Sequence, residues 1–134
     1  MADCAKLFVT FLDSKEFKYA ARVADDGDVV IDFPYDGKVT TCIFSGDDHE
    51  YLSIYTIFER IPDNKRTDLI LVCNDLNSQY KWVTFYVDND NDLVLHSDAR
   101  LSLRDADEEA FEILVRSLKI SEDVKPVIMR AIYA

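Results

Sequence analysis

The sequence predicts an α+β fold, an antiparallel sheet flanked by helices in the order α-β-β-β-β-α-β-β-α-α. Three observations carry that prediction. Amphipathic segments of helical period stand at the start, middle and end of the chain. Alternating, strand-like segments fill the intervals. Short turns rich in Asp and Gly join those segments, as hairpins between antiparallel neighbours require. The 134 residues are 49% hydrophobic and 31% charged, which fits one domain spanning 1–134. A chain of that length buries roughly two-thirds of the surface its unfolded form would expose.

The first segment, DCAKLFVTFLDSKEF, sets Leu7, Phe8, Phe11 and Leu12 at helical spacing, with Asp3 as its cap. FKYAARVADDGDVVIDF then reads as two strands about the turn Asp25–Asp26–Gly27–Asp28, where Gly27 can take positive φ. Val29, Ile31 and Phe33 alternate and so share a face. Gly37 in PYDGK turns the chain into a third strand, VTTCIFSG, which Gly46 and the acidic DDHE close. YLSIYTIFERI is the fourth strand and the longest, ended by Pro62.

Asp63 or Asn64 is placed to cap a helix in which Leu69, Val72, Cys73 and Leu76 form one face, with Asn77 as its stop. YKWVTFYV and DLVLHSDARL read as two more strands. DADEEAFEILVRSLKI is the clearest helix: Asp105 as cap, Glu108 three residues on as in a capping box, and an apolar stripe of Phe111, Leu114, Val115 and Leu118. Arg116 and Lys119 near its end suit the helix dipole. Pro126 lacks an N–H, so the tail is expected to form a separate short helix capped by Asp123 and docked through Val127, Ile128, Ala131 and Ile132.

Charge and cysteine usage then narrow the function. Twenty-six acidic residues face 15 basic ones, a net charge of −11, and such a field repels phosphate backbones and anionic lipid. Neither nucleic acid nor membrane is an expected partner. No apolar stretch is long enough for a bilayer, and LFVTFL lacks a basic flank and runs into Asp13, so it is not a signal peptide. A cytoplasmic location is expected. Cys4, Cys42 and Cys73 stand far apart among apolar neighbours, the setting of buried thiols rather than of disulfides or zinc.

The acidic turn VDNDNDLVLHSD resembles a calcium loop in the alternation of Asp88, Asp90 and Asp92. An EF-hand loop starting at Asp88 needs Gly at its sixth position and Glu at its twelfth; Leu93 and Ala99 stand there instead. The aspartates read as a hairpin loop. His96–Ser97–Asp98 does not read as a triad, because on a strand Ser97 turns away from both neighbours. His49 lies in an acidic turn and reads as solvated. Gly27, Gly37 and Gly46 are isolated, so no phosphate-cradling loop is present. Neither Cys73 nor His96 has a local nucleophile–base partner from which to build a hydrolase. No cofactor, metal or catalytic residue is assigned.

One feature points to a partner. In YKWVTFYV, Val83, Phe85 and Val87 alternate with Trp82, Thr84 and Tyr86; in YLSIYTIF, Leu52, Ile54 and Phe58 oppose Tyr51, Tyr55 and Ile57. A sheet covered on one side should be polar on the other, yet the second face keeps the residues that dominate interfaces. Trp82, Tyr86, Tyr51 and Tyr55 are the expected partner-binding residues.

From Asn74 onward, NDLNSQYKWVTFYVDNDNDLVLHSDARLSL followed by an amphipathic helix resembles the YbjN family of small bacterial proteins. Its members have a helix ending in an Asn-containing segment, an aromatic strand, an acidic turn, an apolar strand and a final helical region. The preceding helix and strands are compatible, so the likeness covers most of the chain. It implies a type III secretion chaperone-like fold, a dimer, and a protein-binding or sensory-transduction regulatory role without catalytic residues. The chain departs from that pattern in having more strand-like sequence between 17 and 60 than a three-strand version requires. The leading expectation is therefore a non-enzymatic module that self-associates as a homodimer and binds a protein segment. The alternative is a small-molecule or cation-sensing domain with a pocket between sheet and helices.

Overall fold

The computed structural model describes residues 3–134. Helix α1, Cys4–Ser14, begins where Asp3 accepts a hydrogen bond from the Lys6 N–H at 2.8 Å, the cap its sequence predicts. Its buried face is Cys4, Ala5, Phe8 and Leu12. Four strands follow: β1 (Ala20–Val23), β2 (Val29–Tyr35), β3 (Lys38–Ser45) and β4 (Tyr51–Arg60). Tyr35 pairs with Lys38 across Asp36 and Gly37, both at positive φ (52° and 73°). That two-residue turn matches the right-handed twist of the strands it joins.

A 3-10 turn, Asp63–Lys65, leads into α2, Arg66–Gln79; β5 (Thr84–Val87) and β6 (Asp92–Arg100) precede the long α3, Ala106–Tyr133. The six strands are antiparallel throughout, in the order β1-β2-β3-β4-β6-β5. Helix α2 carries the chain past the place of β6 to the far edge, and β6 returns to fill the gap beside β4. The architecture is the predicted α+β arrangement.

All three helices cover one face. Around α1 and the first half of α3, Phe8, Leu12 and Leu114 pack on Ile31, Phe33, Cys42, Phe44, Leu52 and Ile54. Around α2 and the second half of α3, Leu69, Cys73, Leu76, Val124 and Ile128 pack on Phe58, Phe85, Leu93 and Leu95. The strand residues in both groups are the inward alternates of one pleated surface. Thr40 and Thr56, directly opposite on β3 and β4, join their buried hydroxyls at 2.8 Å, so neither is left unpaired inside.

The expected separate tail helix is corrected: α3 runs unbroken through Pro126. Proline removes an N–H that would bond the carbonyl four residues back. Pro126 and Glu122 both lie on the solvent side, so water reaches the freed carbonyl. The buried series Ile120, Val124, Ile128 and Ile132 holds the helix to the sheet across that point. The capping box also fails to form, since the Asp105 side chain makes no cap bond; Asp107, Glu108 and Glu109 instead crowd the first turn, where the helix dipole favours them. Asp63 and Asn64 belong to the 3-10 turn rather than capping α2, and α2 continues two residues beyond Asn77.

Asn77 has a different use. Its side chain accepts the Phe85 N–H at 2.7 Å and donates to the Phe85 carbonyl at 3.0 Å. It thereby occupies the outer edge of β5, where a further strand would pair. Among the described residues no helix is long and apolar enough to cross a membrane.

Candidate functional site

The face of the sheet away from the helices is assembled by register. On β4 the outward alternates are Tyr51, Ser53, Tyr55 and Ile57. Across the sheet Asp32, Thr41, Tyr55, His96 and Thr84 stand in line. Tyr86 and Ile57 flank Val94 in the next row, and Val30, Ile43, Ser53 and Asp98 form the row on the other side.

Side chains on this face tie to one another. The Tyr55 ring stacks on the His96 imidazole at 4.2 Å and 18°, and Tyr86 meets the same imidazole edge-on at 6.4 Å. His96 Nε2 lies 2.7 Å from Asp98 Oδ1, and the Ser53 hydroxyl donates to the same oxygen at 2.7 Å. Partial burial pushes the Asp98 carboxyl up, but the Ser53 and His96 hydrogen bonds outweigh it and hold the pKa below the ordinary value. Burial, with the nearby Tyr55, Asp88 and Asp98, raises the Tyr86 phenol. Beyond this cluster Tyr51 is 49% exposed, Val39 52% and Ile57 58%. The Arg100 guanidinium lies 5.8 Å from the Tyr51 ring centroid.

Of the four residues expected to bind a partner, the structure brings Tyr51, Tyr55 and Tyr86 to this face. Trp82 does not join them. β5 begins only at Thr84, and Trp82 sits before it at φ 76°, with its ring 4.4 Å from the guanidinium of Arg116 on α3. It is 65% exposed at the helix side of the β5 edge. Ile57, which the strand alternation already sets on the face of Tyr51 and Tyr55, joins them, and His96, Asp98 and Ser53 are the members that strand-by-strand reading misses. Their signal is the outward alternation 51-53-55-57 and 94-96-98, but only the β4–β6 register makes it a cluster.

The polar groups of this face do not form a Ser–His–Asp relay. Ser97 is buried on the helix face, turned away from His96 as strand geometry requires. Ser53 and His96 meet at one Asp98 oxygen rather than at each other, so the imidazole is not placed to take the hydroxyl proton. Burial pushes the Cys42 thiol up to about 12 and the Cys73 thiol to about 11, which keeps both protonated and unreactive.

The aspartate-rich turn closes on itself. Asp88 accepts the N–H groups of Asp90 and Asp92, both at 2.9 Å, and Asn91 turns at φ 62°. Arg66 plugs the loop, donating to the Asp88 carbonyl at 2.7 Å and the Asn91 side chain at 2.6 Å. The loop is a hairpin connection fastened by a cation of the chain itself. His49, expected in solvent, is instead half-buried: Nδ1 lies 3.1 Å from Asp3 and Nε2 3.0 Å from the Gly27 carbonyl. Burial disfavours its charge, but these two partners and Asp28 outweigh it and raise its pKa.

The fold has a solved counterpart. It is similar to a chain of the crystal structure of the Yersinia pestis type III secretion chaperone SycH in complex with a stable fragment of YscM2. The two superpose with a TM-score of 0.57 at 13% identity, over 91% of this chain and 99% of the other. At that identity the likeness shows the fold. Comparison with curated proteins gives no match. The model of the YbjN family, described as "Putative bacterial sensory transduction regulator", matches residues 6–126, from within α1 to the proline turn of α3. With the match covering both halves of the sheet and all three helices, the chain belongs to the YbjN family.

Proposed function

We propose that this chain is a cytoplasmic, non-enzymatic regulatory module that self-associates as a homodimer and holds a segment of another polypeptide in the manner of a chaperone. The observation that carries the reading is the helix-free sheet face, on which Tyr51, Tyr55, Tyr86 and Ile57 stand together. A soluble sheet usually turns polar residues outward, whereas aromatic groups ringed by polar ones suit a partner that excludes water. The net charge of −11 favours basic segments and repels acidic ones. The structurally similar SycH was crystallised with a protein fragment, which is in keeping with such a role.

Tyr51 and Ile57 are exposed enough to change without opening the core. Light scattering on the wild type and on Tyr51→Ser/Ile57→Ser, at several concentrations, tests the homodimer: a clean monomer for the wild type at high concentration removes it. A photo-reactive side chain placed at Ile57 tests the client face. Cross-linked polypeptides that disappear with Tyr51→Ser and Tyr86→Ser support the assignment, and an unchanged set refutes it. Trp82→Ser is scored separately, because that ring lies on the other side of β5.

A further inference from the structure

The helix face holds an apolar groove that the core does not fill. The apolar stripe of α3 is wider than its buried line. Ala106, Ala110, Ile113, Leu114, Ser117 and Ile120 point inward, while Phe111, Val115 and Leu118 lie at its margin. That margin faces the β2 end at Phe33 and Tyr35 and the connector residue Phe17. Between them is a cavity of about 560 Å³, within the ~300–1,000 Å³ range of small-ligand sites. Phe17 is fixed as one wall by stacking on Phe111 at 5.4 Å and meeting Phe33 edge-on at 5.9 Å.

The polar groups are at the rim, and their charge runs against the rest of the molecule. Lys18 and Lys119 both border the groove, and neither is in an ion pair among the described residues. The carboxylate at the rim, Glu122, is engaged by the Tyr35 hydroxyl. In a chain with 26 acidic residues, two unpaired lysines beside an apolar hollow are a place for one anion attached to a hydrocarbon body.

An added peptide strand fits less well. β1 pairs with β2 only as far as Asp32, and the edge continuing past the groove carries Pro34, which has no N–H to offer. A peptide lying there would leave its own backbone groups short of partners. A linear carboxylate makes no such demand.

We propose that this groove binds a single-chain carboxylate amphiphile, its alkyl chain over Phe17, Phe33, Phe111 and Leu118 and its carboxylate between Lys18 and Lys119. The site is separate from the open sheet face and does not depend on its reading. Calorimetric titration with octanoate, decanoate, decanol and decyltrimethylammonium, each below its micellar concentration, tests it. Saturable one-to-one binding is expected, tightening about fourfold for each methylene added. Decanoate should bind at least as tightly as decanol although it has one methylene fewer, because a gain of about fivefold from the lysines offsets a loss of about fourfold for that methylene, and it should bind well above the cation. Lys18→Gln/Lys119→Gln should erase the preference for decanoate while leaving decanol unchanged. Glu122→Gln should strengthen decanoate binding. Val115→Trp, at a position 42% exposed, should block all four probes while the urea midpoint stays at the wild-type value. Equal binding of decanoate and the decyl cation, or a preference that survives loss of both lysines, overturns the proposal. So does a wild-type dimer that Val115→Trp splits while decanoate fails to bind, since the groove would then be an interface between copies.

Discussion

Asn77→Ala should weaken the protein through the edge of its sheet. The side chain makes two hydrogen bonds to the backbone of Phe85, a residue 1% exposed. Each such bond contributes about 1 kcal/mol net, and stranding a buried backbone group costs about 1–3 kcal/mol. Asn77 itself lies on the exposed side of α2, so water replaces part of what is lost and the lower figures apply, about 2 kcal/mol for the pair. Alanine returns about 0.5 kcal/mol in helix propensity. The expected net loss is therefore about 1.5 kcal/mol, or a fall of about 6 °C in melting temperature for a chain of this size. Ser78→Ala is the control: its hydroxyl bonds only the Asp75 carbonyl on the same helix, and its removal should be neutral or slightly stabilising. Urea unfolding at constant m-value gives the free energy, and amide exchange at Phe85 gives the site. A loss under about 0.5 kcal/mol, with Phe85 exchange unchanged, refutes the view that Asn77 stands in for a neighbouring strand.

The His49 bridge gives a pH dependence. Its folded pKa is raised from 6.5, so its contribution is fully present below the unfolded value and is lost as pH rises through the higher folded value. Stability measured from pH 6 to 8 should fall across that window, and His49→Gln should flatten this part of the curve. Thr40→Val should cost about 1–3 kcal/mol by leaving the Thr56 hydroxyl buried without its partner, and Thr40→Val/Thr56→Val should recover most of it in a double-mutant cycle of urea midpoints. Gly46→Ala should be the most damaging change at a turn glycine. Its φ is 94°, and a Cβ there would stand 2.8 Å from the Tyr51 ring, whereas at Gly27 it would meet nothing within 4 Å. Parallel thermal melts should rank Gly46→Ala well below Gly27→Ala.

Local chemistry made much of the first half readable. Asp3 announces α1, Gly37 announces the β2–β3 hairpin, and the alternation Val29-Ile31-Phe33 announces the buried face of β2. What stayed hidden depends on distant residues. The helix break expected at Pro126 fails because packing of Ile128 and Ile132 outweighs a local rule. Trp82 looks like a strand alternate until its positive φ turns it toward Arg116. Tyr55, His96 and Asp98 meet only because α2 carries the chain across the sheet and β6 returns beside β4, a placement no turn residue encodes. The groove needs Phe17 from a connector, Phe33 from a strand and Phe111 from a helix 78 positions later (33 to 111), and none of them signals a cavity alone.

The length of α3 has a mechanical meaning. Its 28 residues reach about 42 Å, so its front half is clamped with α1 while its rear half is clamped with α2. Loosening at one end of the molecule cannot stay local, because the same rod must lift from both clamps or bend between them. A disturbance of the packing around Ile113 would therefore be felt beside Ile128, and denaturation should proceed as one event instead of two.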